Sequence, residues 1–206
     1  MATDLRELLT PATTVLLTQE CQRGVVGPDS MIPALADAAR TSGALANITR
    51  LVHAARTAHV GVLHALAARR HDGRGANTNA RLFVSVARQP DQQWLGADAT
   101  LPLEEFGVDD SDLTSTRLHG LSPILGQDVD GLLRNLGCRT VVIVGVSTNV
   151  AIPNAVFDAV NLGYQVVVPI DAIAGVPVEY TDAIVRNTLS LVATTTRTDE
   201  VLACWS

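Results

Sequence analysis

The sequence predicts a doubly wound α/β domain, and three observations carry this prediction. Short runs rich in Val, Ile and Leu do not alternate cleanly between apolar and polar residues, which is typical of strands covered on both faces of a parallel sheet. Amphipathic helical patterns lie between these runs, so strand and helix alternate along the chain. The chain has 206 residues, 47% of them hydrophobic, and this length suits one domain spanning residues 1–206 better than two.

The element boundaries follow from these patterns and from the residues that interrupt them. Strands are predicted, in chain order, over 13–20, 60–67, 112–117, 140–146, 164–172 and 193–198. Helices are predicted over 44–59, 128–136 and 179–193. A further helix begins near Pro153, which suits a first helical turn, and ends at Gly163. Its buried stripe is predicted to be Val156, Phe157 and Val160.

The segment from Arg69 to Gly107 breaks this alternation. It is rich in Arg, Asp, Asn, Gln and Gly and shows little periodicity, so it is predicted to be a long loop. Loops of this length in a compact domain are usually functional or mobile. Its stretch RRHDGRGANTNARLF carries polar side chains and two glycines, and we expect it to cover the pocket described next.

Composition excludes several kinds of partner and chemistry. The net charge of −6 and the aromatic content of 3% make nucleic acid an unsuitable partner. All 15 basic residues are Arg, so no step can use a lysine. The three cysteines are widely spaced and form no CxxC pair, and no second His lies near the pair His71 and Asp72, so neither a metal site nor a cofactor is expected. No signal-peptide pattern or membrane-spanning run is found, which predicts a cytoplasmic protein.

Polar side chains follow three of the predicted strands. Glu20, Cys21 and Gln22 come at the end of the first strand, His119 follows the strand that ends at Arg117, and Ser147, Thr148 and Asn149 follow the strand TVVIVGV. In an open parallel sheet, ligands bind outside the carboxyl ends of the strands. We therefore expect these groups to line one pocket. Strand alternation turns Cys21 away from the face that Glu20 uses, which predicts a buried small side chain and not a nucleophile.

The chain resembles the isochorismatase-like hydrolases of the cysteine hydrolase superfamily. LLTQECQRGVVG is similar to their first strand, and LGCRTVVIVGVSTNVAIPNAVFDAVNLGYQVVVPIDAIAG is similar to their strand, turn, helix and strand core. The resemblance covers nearly the whole chain. It implies a Rossmann-like, three-layer α/β sandwich around a parallel sheet, which is commonly oligomeric, and so a homodimer or homotetramer.

The amidase branch of that family uses an Asp, a Lys and a nucleophilic Cys, and this chain departs from all three. The Asp, two residues before a Gln, falls on Glu20, and Gln22 keeps the Gln. The Lys falls near Arg117 after a shift of one residue. The Cys, which follows a turn like STNV and commonly a non-proline cis peptide, falls on Ala151. Alanine cannot attack a carbonyl, so a thioester mechanism is closed at this position.

A second branch of the family, the isochorismatases and related vinyl-ether hydrolases, has Ala at the same position. The resemblance implies that Glu20 protonates a small anionic or carbonyl-bearing substrate while water completes the hydrolysis. Arg117 would favour the ionised form of Glu20 if the two were paired, and it suits clamping a substrate carboxylate. Gln22, His119, Asn149 and Ala151 are the predicted substrate-binding residues.

Two alternatives remain open at this point. The first is a non-catalytic binding protein that keeps the pocket, which the simultaneous absence of the family's Lys and Cys favours. The second is amide hydrolysis in which Glu20 activates a water directly. The retained carboxylate, together with an Arg and a His near another strand end, favours an enzyme.

Overall fold

A seven-stranded parallel sheet organises the chain, whose computed structural model describes residues 4–89, 93–107 and 109–206. The strands are β1 Thr14–Gln19, β2 Gly61–Ala67, β3 Leu113–Arg117, β4 Thr140–Val146, β5 Gln165–Pro169, β6 Ile173–Ala174 and β7 Thr194–Thr196. Their order is β3-β2-β1-β4-β5-β7, with the short β6 paired to the end of β4. The order reverses at β1, so the carboxyl ends of β1 and β4 meet at the centre of one sheet edge.

Helices cover both faces of the sheet. They are α1 Leu5–Leu8, α2 Arg23–Val26, α3 Pro33–Thr41, α4 Ala44–Thr57, α5 Arg81–Ala87, α6 Val129–Asn135, α7 Ala151–Asn161, α8 Val178–Ile184, α9 Ser190–Val192 and α10 Thr198–Trp205. A π-helical turn, Val185–Leu189, joins α8 to α9. The predicted three-layer α/β fold is therefore confirmed.

Two hydrophobic cores, one on each face of the sheet, hold the layers together, and the strands contribute side chains to both. Leu16 of β1 packs with Ile48 and Leu51 of α4 on one face, whereas Leu17 packs with Leu133 of α6 and Ile152 of α7 on the other. All six side chains are fully buried. Because successive strand side chains point to opposite faces, a strand buried on both sides carries apolar residues at consecutive positions, as Leu16 and Leu17 do. Full burial of one such side chain contributes about 1.5–3 kcal/mol relative to exposure.

The predicted strands all occur, but the helix after β4 differs from its prediction. It begins at Ala151, two residues before Pro153, because proline is tolerated anywhere in a first helical turn. The buried stripe runs through Ile152, Ala155, Val156 and Ala159, so Phe157 and Val160 are exposed and their predicted burial is wrong. With the true start, small residues supply the buried positions at i, i+3, i+4 and i+7.

Five helices were not predicted: α1, α2, α3, α5 and α10. The C-terminal α10 buries Val201 and Trp205, one turn apart, and the Trp205 indole N–H donates to the carbonyl oxygen of Leu9 at 3.2 Å. Helix α5 lies inside the predicted loop and buries none of its residues. Otherwise the segment from 69 to 107 holds only two short 3₁₀ turns, Asp98–Thr100 and Glu104–Phe106, within the part that the structure describes. Among the described residues, no helix combines the length and apolarity needed to cross a bilayer.

Candidate active site

Glu20 stands directly after β1, in a backbone conformation that turns it out of the strand. Its N–H still pairs with the carbonyl oxygen of Ala65 in β2, at 2.9 Å, but its φ is +52°. A positive φ is uncommon for a residue with a side chain and recurs at functional sites. The Glu20 side chain is 17% exposed. Its Oε1 accepts from the Gln19 amide at 3.1 Å, and no bond to Oε2 is formed within the described ranges.

Arg117, the last residue of β3, reaches Glu20 across the end of β2. Its Nη2 donates to Glu20 Oε1, and its Nε donates to the carbonyl oxygen of Gly120 at 3.2 Å. The guanidinium is 10% exposed, and its buried Nη1 has no hydrogen-bond partner within the described residues. A buried donor without an acceptor is costly in a folded protein, so Nη1 is available to a ligand oxygen.

The turn after β4 supplies the third side of the site. It opens with a cis peptide bond between Val146 and Ser147. Thr148 N–H donates to the carbonyl oxygen of Ala174 at 2.9 Å, and Ile152 N–H donates to that of Ser147 at 3.0 Å. The N–H groups of Asn149 and Ala151 have no acceptor in the described part of the chain. Such groups at the start of a helix can hold an anionic or carbonyl oxygen.

These three sides enclose a cavity of about 460 Å³. Five of the six predicted site residues line it: Glu20, Arg117, His119, Asn149 and Ala151. His119 and Asn149 are exposed at its mouth, whereas Ala151 is 5% exposed at its base. The structure thus brings the three predicted strand ends into one pocket. A volume of this order accommodates a small molecule.

Gln22 is not part of the described lining of the cavity, so the structure does not place it as a direct substrate contact. It is fully buried, and its amide brackets Ala67 at the end of β2: Oε1 accepts from Ala67 N–H at 2.7 Å and Nε2 donates to Ala67 O at 2.8 Å. Nε2 also meets Gln93 Oε1 and the carbonyl oxygen of Ala99. Gln22 therefore connects the ends of β1 and β2 to the segment 69–107, which we call the covering segment. It helps to hold the strand end that carries Glu20.

The covering segment contributes residues to the pocket that the sequence analysis did not single out as substrate contacts. Asn77 and Gln93 line the cavity together with Leu82 and Phe83 of α5. Asn77 Oδ1 accepts from Gly120 N–H at 2.8 Å, which fastens the segment to the residues that follow β3. The signal for α5 was present in RLFVSVA, where apolar residues recur at helical spacing, but seven residues are too few to establish a period.

Cys21 does not replace the missing nucleophile. It is fully buried, its Sγ lies 3.6 Å from the carbonyl oxygen of Gln19, and it does not contribute to the described cavity lining. Burial, and secondarily the neighbouring Glu20, raise the pKa of its thiol far above the usual value. A thiol that stays protonated is a poor nucleophile. Its prediction as a buried small side chain is confirmed.

No group of three or more His, Cys, Asp or Glu side chains is arranged to hold a metal ion, as far as the described residues extend. The described lining of the cavity offers the Glu20 carboxylate, the His119 imidazole, the guanidinium groups of Arg69 and Arg117, and unpaired backbone N–H groups; Nη1 of Arg117 has no partner among the described residues. That set can transfer a proton and hold an oxygen atom.

The sequence of residues 14–200 matches the protein-family model described as the Isochorismatase domain. The chain belongs to the isochorismatase family. It is 26% identical over 195 residues to the uncharacterized isochorismatase family protein YwoC of Bacillus subtilis (strain 168), a match that covers 92% of either protein.

Solved structures share the isochorismatase-family fold of this chain. A cysteine hydrolase from Pseudomonas syringae pv. phaseolicola 1448A superposes with a TM-score of 0.82 at 22% identity, over 100% of this chain and 98% of that one. N-carbamoylsarcosine amidase from Thermoplasma acidophilum gives a TM-score of 0.68 at 18% identity, over 91% of this chain and 97% of that one. At these identities the likeness shows the fold alone.

Proposed function

We propose that this isochorismatase-family protein hydrolyses a vinyl ether, or a related C–O or C–N bond, by acid–base catalysis at Glu20 without a covalent enzyme intermediate. The observation that carries the proposal is the pairing of a retained carboxylate with a missing nucleophile. Glu20 lines the cavity with Oε2 unbonded to any described residue, while the first residue of α7 is Ala151. The chemistry must therefore proceed through water and a proton.

The reaction balances with these groups alone. Glu20 delivers a proton to the terminal carbon of the vinyl group, and water adds to the resulting oxocarbenium carbon while its proton returns to Glu20. The hemiketal then breaks its C–O bond, which releases an alcohol and a ketone, so one water is consumed. General acid–base catalysis of this kind contributes roughly 10²–10⁴-fold to a rate.

Arg117 prepares both partners in this scheme. In the free protein its guanidinium neutralises Glu20. A substrate carboxylate or carbonyl oxygen would bind the unpartnered Nη1, and it would draw the positive charge away from Glu20. Arg117 would then hold the substrate beside Glu20, which delivers the proton in the first step. The free N–H groups of Asn149 and Ala151 would hold a further oxygen as charge develops.

A non-catalytic binding protein is the second candidate. The observation that favours it is the joint loss of two groups, since Arg117 and Ala151 stand where the resemblance places a Lys and a Cys. A pocket without turnover would still bind a small anionic or carbonyl-bearing molecule. It would need neither a proton on Glu20 nor room for an attacking water.

A substrate panel separates these functions. We expect the wild-type protein to hydrolyse isochorismate-like vinyl ethers above the uncatalysed background, and small amides and imides more slowly or not at all. Thiol-blocking reagents should leave the vinyl-ether turnover of the wild-type protein unchanged, since Cys21 is buried and the mechanism uses no thiol. A wild-type protein that is inert across the panel but thermally stabilised by the same compounds would instead establish the binding protein.

A further inference from the structure

The cavity has two chemically different parts. The charged side chains of its described lining are Glu20, Arg69 and Arg117, and each of them follows or ends a strand of the sheet. The lining contributed by α2, α3, the connection between them and α5 is mainly apolar, although α5 also contributes Ser85. Its apolar residues include Val25, Met31, Ile32, Leu35, Leu82 and Phe83. We call these six residues the apolar wall.

The protein buries the side chains of the apolar wall only in part. Val25 and Leu35 belong to one of the hydrophobic cores, but Leu82 and Phe83 pack into neither of them. Leu82 is 47% exposed and Ile32 is 43% exposed. Leaving large apolar side chains in water at the rim of a cavity forgoes the free energy of burying them. A ligand with an apolar surface would gain it.

Helix α5 is oriented so that its apolar side faces the cavity. Leu82 and Phe83 line the cavity, whereas Arg81, Val84 and Arg88 line an adjoining surface depression and not the cavity. The guanidinium groups of Arg81 and Arg88 are therefore not part of the described lining of the cavity. An anionic group at that end of a substrate would find no cation supplied by α5.

We infer that the substrate of this site carries its reacting polar group at one end and an uncharged apolar group at the other, held between α3 and α5. This inference rests on the proposed function only in taking the cavity as the substrate site. A substrate with a second carboxylate at the far end is disfavoured, because desolvating that charge against the apolar wall has no compensating ion pair. Small alkyl, alicyclic or aromatic groups fit the wall.

A homologous series of neutral ligands tests the inference without requiring turnover. Acetamide, butanamide and hexanamide present the same polar group and differ only in chain length. The dissociation constant of each is measured by NMR titration with wild type, Leu82→Ala and Val84→Ala. We expect affinity to rise about three- to fourfold for each methylene that is buried. Leu82→Ala should flatten this gradient and Val84→Ala, on the same helix but outside the cavity, should keep it.

A charged tail sharpens the test. Succinamate has the amide of butanamide and a carboxylate at the other end, and we expect it to bind at least tenfold more weakly than butanamide. Affinities that do not depend on chain length, equal effects of Leu82→Ala and Val84→Ala, or tighter binding of succinamate would overturn the inference.

The proposed reaction can fail independently of this inference. Glu20→Gln should lower turnover by about 10²–10⁴-fold, yet it should leave the chain-length gradient of the amides in place, because the apolar wall is untouched. If amide affinity rises with chain length but the protein hydrolyses no substrate, the inference about the apolar wall stands and the proposed function fails. If the protein hydrolyses vinyl ethers but amide affinity does not depend on chain length, the proposed function stands and the inference about the apolar wall fails.

Discussion

Two ion pairs of this protein differ in how completely their atoms are used. The Glu20–Arg117 pair lines the cavity and keeps Glu20 Oε2 and Arg117 Nη1 without hydrogen-bond partners in the described part of the chain. The second pair, Asp112 with Arg56, lies just before β3 and against α4, and its side chains are 7% and 15% exposed.

Every nitrogen of Arg56 has an acceptor. Nε and Nη2 donate to the two carboxylate oxygens of Asp112, at 3.2 and 2.5 Å, and Nη1 donates to the carbonyl oxygen of Phe106 at 2.5 Å. Asp112 Oδ2 also meets His64 Nε2 at 3.0 Å, and His64 Nδ1 meets the Thr18 hydroxyl at 2.7 Å. Because a carboxylate only accepts, Nε2 carries a proton, and in neutral His64 Nδ1 accepts from Thr18.

The comparison separates structural from functional charge. A buried pair whose atoms are all satisfied joins the elements that carry it, here β1, β2, α4 and the entry to β3. A pair with unsatisfied atoms beside a cavity contributes less to stability and is prepared for a ligand. The chain Thr18, His64 and Asp112 has the order of a hydrolytic triad, yet both Thr18 and His64 are almost completely inaccessible, so it has no access to substrate.

The largest effect is expected from breaking the structural pair. Asp112→Ala leaves Arg56 and His64 without their shared acceptor in a buried place, and we expect it to lower the free energy of unfolding by about 3–5 kcal/mol. Urea denaturation measures this. Asp109→Ala is the matched control, because Asp109 also approaches Arg56, at 3.9 Å, but is exposed and should matter much less. Equal effects of the two substitutions would contradict the structural role.

The functional pair should tolerate removal. The double variant Glu20→Gln with Arg117→Met deletes both charges together with the unsatisfied Nη1, so we expect the free energy of unfolding to stay within about 1 kcal/mol of wild type. Urea denaturation measures this free energy as well. A loss as large as that of Asp112→Ala would mean that Glu20 and Arg117 hold the fold together, and the comparison would fail.

A smaller effect concerns pH. Burial, only partly offset by Asp112, lowers the pKa of His64 below its usual value. The unfolded chain then binds the proton more readily than the folded one, so stability is full above the unfolded pKa of about 6.5 and falls as pH drops below it towards the folded pKa. His64→Gln should flatten the stability profile between pH 7 and pH 5. An unchanged slope would show that His64 does not contribute.

The functional pair was predictable from the sequence because it follows local rules. Glu20 and Arg117 lie at the ends of strand patterns. Asn149 lies in the turn between β4 and α7, and Ala151 is the first residue of α7. Parallel strands bring such ends to one edge whatever the details of packing.

The structural pair was not predictable in the same way. Asp112 meets Arg56 and His64 from 56 and 48 residues away, and only the packing of α4 against the sheet sets those distances. The one signal was a histidine inside the apolar run VLHALA. The burial predicted for Phe157 was wrong because successive helical residues point about 100° apart: Val156 lies on the buried face with Ile152, Ala155 and Ala159, and Phe157 lies beside that face.

The effect of Glu20→Gln on kcat/KM for the best vinyl-ether substrate of the wild-type protein tests the central claim most directly. Glutamine keeps the shape of the side chain and its ability to accept from Arg117, but it cannot give or take the proton. We predict a loss of about 10²–10⁴-fold with the fold intact. A variant that stays within tenfold of wild type would show that the proton comes from elsewhere and that Glu20 is not the acid of this site.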